Sequence, residues 1–582
     1  MNIIEGFKKL PNRISESLKR FPISLLYSVF TVCVLIYINH NEFLFRDDGD
    51  LYSRIAMILA LGIPLSLSIY VFFETKDNVK KSIEILAHVF TPIILIGYYF
   101  LLLKEIDYVS GTRYTAYMIA FFIIFSFIPY IKRKHNYELY VIRLFSRFIV
   151  TYVYSVVLYL GLAAILTTIN LLFNADIPGK IFADIAFVVA GIFAPSFFLA
   201  DIPKKDAEIT IGSFPKVLKV LLEYIVLPLI SIYTIILYVY FGKIIITSQL
   251  PQNIIGNLVL WYSIIMTIVL FFIYPLKGQS RWINTFIKIF PKAIIPLIGI
   301  MFWAIILRIN AYGITEDRYF VIAVGIWVTG VMVYYSLKKD IKNIWLTVSL
   351  TLIVIISVTG PISAYSVSKW SQNNRFEKLL KSNDLLSDSL AIRPNENVSE
   401  EAKREISSII RYFLNYHSLD DIRFLSDGFD LREMEDVFGF DLKEDHMYPY
   451  QNRNYFNHIL EDERIISIED YDYFTFYTTY EPQSAKMFDG DYSVRYSNSN
   501  DEIVIKNNDD EIYTKNINDI ARKIHKNSSN KDILDMNDMT FTDQNNDIKV
   551  QILFKNINGN NTNSNENIEI ESVEFFVFIK TK

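Results

Sequence analysis

The sequence predicts a membrane all-α fold, a polytopic bundle of about eleven transmembrane helices, joined to a soluble α+β C-terminal domain. Three observations predict it. Apolar runs of about 20 residues, the length that crosses a hydrocarbon core of about 30 Å as a helix, recur through the first two-thirds of the chain. Charge divides near Ser368: 32 Lys and Arg against 21 Asp and Glu before it, 25 against 41 after it, within a whole of 57 and 62. Beyond Arg464 the apolar residues recur every second position, the spacing of strands.

The apolar runs lie at Phe21–Asn39, Leu51–Phe73, Ile83–Leu103, Tyr114–Ile131 and, with a long entry, Phe148–Phe173. They continue at Ile181–Ala200, Leu221–Phe241, Leu258–Leu276, Ile295–Leu307, Phe320–Leu337 and Ile344–Ser368, the ninth being the shortest. The first run follows a basic stretch, as a secretory signal would. However, Ile38-Asn39-His40-Asn41-Glu42 offers no small-x-small cleavage site, so the run reads as a retained helix.

Orientation follows from lysine and arginine in the connections. Alternate connections, starting with the N-terminus, hold 24 basic residues, and the other five hold 8, with every member of the first set exceeding every member of the second. The rule predicts a cytoplasmic amphipathic N-terminus over 1–20, a transmembrane domain over 21–368 and an extracytoplasmic α+β domain over 369–582. Three basic, apolar-faced segments are expected to lie in the lipid interface: the first ten residues (Ile3, Ile4, Phe7, Leu10), Phe214–Lys219 and Trp282–Lys292.

In the C-terminal domain, Asn373 to Tyr416 carries helical spacing broken near Pro394, with Ser399 placed as an N-cap; a shorter helix is expected at Leu431–Phe438. Strands are expected at Ile465–Ile468, Tyr473–Tyr480, Tyr492–Tyr496, Ile503–Lys506, Met539–Thr542, Ile548–Phe554 and Ile568–Ile579, with a helix at Ile517–His525. Both faces of Val573–Ile579 are apolar, which predicts a central strand. Asn556 to Asn567 reads as an asparagine-rich loop.

Composition excludes several functions. One cysteine, Cys33, excludes an internal disulfide and a thiolate metal cluster. The acidic C-terminal half argues against nucleic acid, whose phosphates need a cationic surface. The 7 histidines are scattered, and no phosphate-cradling glycine loop or serine-nucleophile motif is present, so no cofactor, metal or catalytic residue is assigned. Asp47-Asp48-Gly49-Asp50 reads as a solvated loop. Four ionisable residues inside spans, Glu84, His88, Asp184 and Glu223, are functional candidates because charge in hydrocarbon is costly. Prolines interrupt several spans: Pro64, Pro92, Pro129, Pro195, Pro228 and Pro275.

Two stretches on the outer side are the most distinctive. One runs from Arg308 to Tyr319 as R-I-x-x-Y-G-I-T-E-x-R-Y, the other from Gly360 to Arg375 as G-P-x-S-A-x-S-V-S-x-x-S-Q-x-x-R. Their polar residues Arg308, Tyr312, Thr315, Glu316, Arg318, Gln372 and Arg375 form the candidate binding layer, with Glu316 expected to pair with an arginine. A third stretch, Glu223-Tyr224-Ile225-Val226-Leu227-Pro228-Leu229, continues through Tyr233, Leu237, Tyr240 and Lys243 to Leu250-Pro251. Together these resemble the bacterial membrane family named domain of unknown function 4153, across most of the membrane half and the opening of the soluble domain. The resemblance implies the architecture and brings no activity or catalytic residue with it. The expected function is a non-enzymatic membrane protein of the bacterial envelope with an outward sensing or binding domain. Its expected partners are the lipid bilayer and an envelope protein or small polar ligand. The alternatives are a secondary transporter or channel, and an outer-face enzyme acting on lipid or cell-wall precursors.

Overall fold

The computed structural model describes residues 10–581 except 42–48, 77–79, 132–135, 174, 176, 205–208, 248–253, 387–391, 396, 427, 444–454, 461–467, 480–484, 498–499, 509, 529–532 and 563–566. Ile3, Ile4, Phe7, Asp47, Asp48 and most of the strand expected at Ile465–Ile468 lie outside the described residues. The chain divides into two compact units, Met1–Lys443 and Glu444–Lys582.

Among the described residues of the first unit, ten helices are long and apolar enough to cross a membrane, and the shorter apolar helix Ile344–Val358 completes the expected eleven. In order, spans 1 to 5 are Pro22–His40, Asp50–Glu74, Lys81–Leu102, Tyr108–Tyr130 and Tyr137–Phe173. Spans 6 to 10 are Gly179–Ala200, Lys216–Ile244, Gly256–Leu276, Arg281–Tyr312 and Glu316–Leu337, and span 11 is Ile344–Val358. Arg20 at the start of span 1 meets the ends of spans 2 and 6, the basic face, and His40 at its end meets the start of span 6, the opposite face.

Span 9 is not short. Its helix has 32 residues and takes in Trp282–Lys292, expected as a separate interfacial segment, because Pro291 and Pro296 are accommodated inside it. Ile283, Phe286 and Ile287 are buried against the bundle, so one side of this entry is core. Phe214–Lys219 likewise leads without a break into span 7 through a π-helical turn at Leu221–Val226.

Prolines are absorbed in two ways. Pro129 and Pro275 fall in 3-10 turns that end spans 4 and 8, where a missing N–H costs little. Pro195 follows a second π-helical turn, Val189–Phe193. A proline here cannot donate to the carbonyl four residues back, that of Gly191, and the Ser28 hydroxyl of span 1 donates to it instead. Gly191 also lets the helices approach, since a Cβ there would overlap the Val32 side chain.

Beyond span 11 the first unit continues in helices Ala364–Ser382 and Glu400–Tyr416. Ser399 caps the second, its hydroxyl accepting from Ala402 N–H at 3.3 Å. Phe376 and Leu380 of the first helix and Ile406, Ile409, Ile410 and Phe413 of the second are buried in one cluster with Phe438, the faces the spacing predicts.

The second unit is α+β. Its strands are β1 Tyr455–Leu460, β2 Tyr473–Thr478, β3 Lys486–Phe488, β4 Tyr492–Ser497 and β5 Glu502–Asn507. They continue as β6 Asp510–Asn516, β7 Ile533–Leu534, β8 Thr540–Gln544, β9 Ile548–Thr562 and β10 Asn567–Thr581. One sheet runs β2-β10-β9-β1-β7 with β8 also on β9, and the other runs β3-β4-β5-β6. As expected, β10 is central: Val573, Phe575, Val577 and Ile579 are buried on one face, while Phe576 and Phe578 pack on Phe476 and Phe474 on the other. The asparagine-rich segment is not a loop up to Thr562. Asn556 to Asn560 pair with β1 on one side and β10 on the other, and a Cβ at Gly559 would strike the Glu569 carbonyl. Long-range pairing overrides the turn composition there.

His458 on β1 and His525 on helix Ile517–Ser528 are buried, with Nε2 and Nδ1 at 2.8 Å, and the His525 ring stacks on Phe456 at 3.6 Å. Residues 444–582 expressed alone are expected to unfold in one cooperative calorimetric transition. His525→Ala is expected to lower its midpoint, because His458 loses a buried partner at a cost of about 1–3 kcal/mol.

Candidate functional site

The motif around Gly313 is built on a tight turn between spans 9 and 10. Span 9 ends with the Gly313 N–H on the Ile309 carbonyl at 2.9 Å, and Gly313 adopts φ +72°, a conformation side chains disfavour. The turn is then bound from the side. Gln372 Nε2 donates to the carbonyls of Tyr312 and Ile314, each at 3.0 Å, and the Ile314 N–H donates to Ser371 Oγ at 2.8 Å. A Cβ at Gly313 would meet Gln372 Nε2 at 3.0 Å, so glycine serves both the turn and this approach. Arg318 donates to the Gly313 carbonyl at 2.6 Å. The guanidinium carbons of Arg318 and Arg375 lie 5.6 and 5.9 Å from the Tyr312 ring centroid, and Arg375 pairs with Glu405 at 3.1 Å. Thr315 is the N-cap residue of span 10, with no side-chain cap bond. Arg308 lies in the last turns of span 9.

Glu316 opens span 10, where the helix dipole favours a carboxylate, yet it is only 2% exposed. The Tyr412 hydroxyl lies 2.8 and 2.9 Å from its two oxygens, and His417 Nε2 lies 2.7 Å from Oε1. Tyr412 and His417 are themselves 3.0 Å apart. Burial first, and the Glu316 carboxylate second, push the Tyr412 hydroxyl well above the usual phenol range, so it stays a proton donor. The sequence reading expected an arginine here. The groups that close on Glu316 instead come from 96 and 101 residues further on. No local spacing points to them; the signal was that Tyr412 and His417 end an amphipathic helix facing the same layer. A buried carboxylate with both oxygens engaged is a fastening, not a free acid or base.

The four intramembrane candidates are not gathered into one site. Asp184, near the opposite face, lies 2.6 Å from His40 Nε2 through Oδ2 and accepts from Asn39 Nδ2 at 2.8 Å through Oδ1. Glu84 and His88 sit toward the basic face on span 3; His88 is 7% exposed, lies 4.1 Å from the Tyr70 ring, and neither ring nitrogen has a hydrogen-bond partner among the described residues. Glu223, half-buried, lies in the π-helical turn of span 7. Glu84 and Glu223 thus stand at one end of the bundle and Asp184 at the other.

These features define a polytopic integral membrane protein with a helical layer fastened to its span ends. The chain belongs to the family described as Domain of unknown function (DUF4153), which it matches over residues 21–404. It is 22% identical over 426 residues to an uncharacterized protein, PM1469, of Pasteurella multocida (strain Pm70), covering 72% of this chain and 69% of that one. No solved structure matches the chain. The family match includes Glu316 and stops before Tyr412 and His417.

Glu316→Ala removes the acceptor of two buried donors and is expected to cost about 1–3 kcal/mol locally, loosening the Glu400–Tyr416 helix from span 10. Limited proteolysis with trypsin in membranes should show faster cleavage at Arg404 and Arg411, on the helix that carries Tyr412. Equal cleavage in wild type and variant would mean that the fastening lies elsewhere.

Proposed function

We propose that this is a non-enzymatic protein of the bacterial envelope whose helical bundle holds an extracytoplasmic sensing or binding domain at the outer face of the cell membrane. The observation that carries the reading is the Glu316–Tyr412–His417 fastening, which spends buried polar groups on holding helix Glu400–Tyr416 to span 10. Buried polar networks specify one arrangement more than they add stability. That is what a bundle presenting a fixed platform requires. Orientation rests on the basic residues, 24 against 8, and on how the few on the less basic face are used. Arg54 donates to the Leu103 carbonyl at 2.7 Å and Arg113 to that of Val358 at 3.2 Å, so both are committed to helix ends. The outer-face enzyme would need Glu316 open to substrate, and transport would need a polar path joining the ionisable groups. The engaged, buried carboxylate and the separation of Asp184 from Glu84 and Glu223 favour neither.

Alkaline phosphatase fused after Lys582 should be active in cells, and a fusion at Gly278 inactive. The reverse pattern would remove the extracytoplasmic assignment and with it the outward-facing reading.

A further inference from the structure

On the basic face, the ends of spans 4 and 8 and the beginnings of spans 5 and 11 enclose a cavity of about 630 Å³. That is the size of a small-molecule site. Its walls change character from rim to interior. Three rim residues are apolar and exposed, Ile131 at 59%, Ile211 at 41% and Trp345 at 60%. Further in stand Tyr137, Tyr274 and two hydrogen-bonded polar side chains, Glu138 and Asn343.

Among the described residues, the charged groups of this wall are Glu138 and Lys342. Asn343 Nδ2 donates to Glu138 Oε1 at 2.7 Å, and the Tyr335 hydroxyl donates to Asn343 Oδ1 at 2.5 Å. This chain holds the carboxylate in place and leaves its charge uncompensated. Among the described residues neither Glu138 nor Lys342 forms an ion pair, although both line the same space. Two opposite charges that line one cavity without pairing to each other are the complement of a zwitterion.

We propose that this cavity binds an aminoalkyl phosphate head group. Its ammonium sits against Glu138, and its phosphate reaches Lys342. Such a group comes from two sources, a phospholipid or a free solute. The apolar rim, with Trp345 at the level where aromatic residues border a bilayer, suits the acyl chains of the lipid.

The test is titration of the full-length protein in detergent, read by native mass spectrometry and by thermal unfolding. The probes are phosphatidylethanolamine, phosphatidylglycerol and soluble phosphoethanolamine. Phosphatidylethanolamine should bind wild type in preference to phosphatidylglycerol and raise its unfolding midpoint. Glu138→Gln and Lys342→Gln should each weaken that binding roughly tenfold, the loss of one charge-assisted contact. Lys342 is exposed, so its variant keeps the test valid if the Glu138 variant folds poorly. Soluble phosphoethanolamine competing at equal concentration would support the head-group site and assign it to the solute. Equal binding of both lipids, or a phosphatidylethanolamine affinity unchanged in both variants, would overturn the proposal.

Discussion

Every membrane helix ends with carbonyl groups that have no partner within the helix, and no water is available in hydrocarbon to take them. The first unit is arranged around that constraint. Span 3 ends on Arg54, span 11 on Arg113, span 9 on Gln372, and the carbonyls just past span 6 on Arg20, which also makes a two-point pair with Glu74. Even the break inside span 6 follows the rule, since the carbonyl orphaned by Pro195 is taken by Ser28. The polar side chains that close helix ends are therefore also the ones that tie neighbouring elements together. Satisfying the backbone and fixing the tertiary arrangement are one act.

The junction at the start of span 10 applies the same logic to a side chain. A carboxylate that favours the start of a helix would ordinarily remain hydrated. Here the Glu400–Tyr416 helix covers it, and the desolvated charge must be met by donors of the covering element. The result discriminates between arrangements: any other seating of that helix leaves Glu316 buried without donors. Apolar contacts such as Phe376 against Phe438 add affinity, but they tolerate sliding in a way a two-donor site does not.

Much of this was legible in sequence, for reasons that differ from element to element. Spans are visible because hydrocarbon imposes a fixed length on apolar runs. The cap at Ser399 and the central strand at Val573–Ile579 are visible because local chemistry and alternation determine them. The crowded turn at Gly313 is visible because glycine and the flanking polar groups announce it, and Tyr312, Arg318, Gln372 and Arg375 are in contact there. The pairing of Glu316 was not visible. Tyr412 and His417 reach Glu316 only through tertiary packing, which no spacing records. The asparagine-rich end of β9 was missed for the same reason: its neighbours on β1 lie about a hundred residues away, and composition alone speaks for a loop.

The separation of Glu316 from its donors also has a consequence in time. Span 10 begins at Glu316, whereas Tyr412 and His417 follow 96 and 101 residues after that carboxylate. At bacterial elongation rates that interval is on the order of five to twenty seconds. During it the nascent bundle holds an unmet anion at the start of span 10, open to water and to whatever cation diffuses there. Closure of the platform is thus a late step of biogenesis, ordered by the ribosome rather than by the strength of the contact.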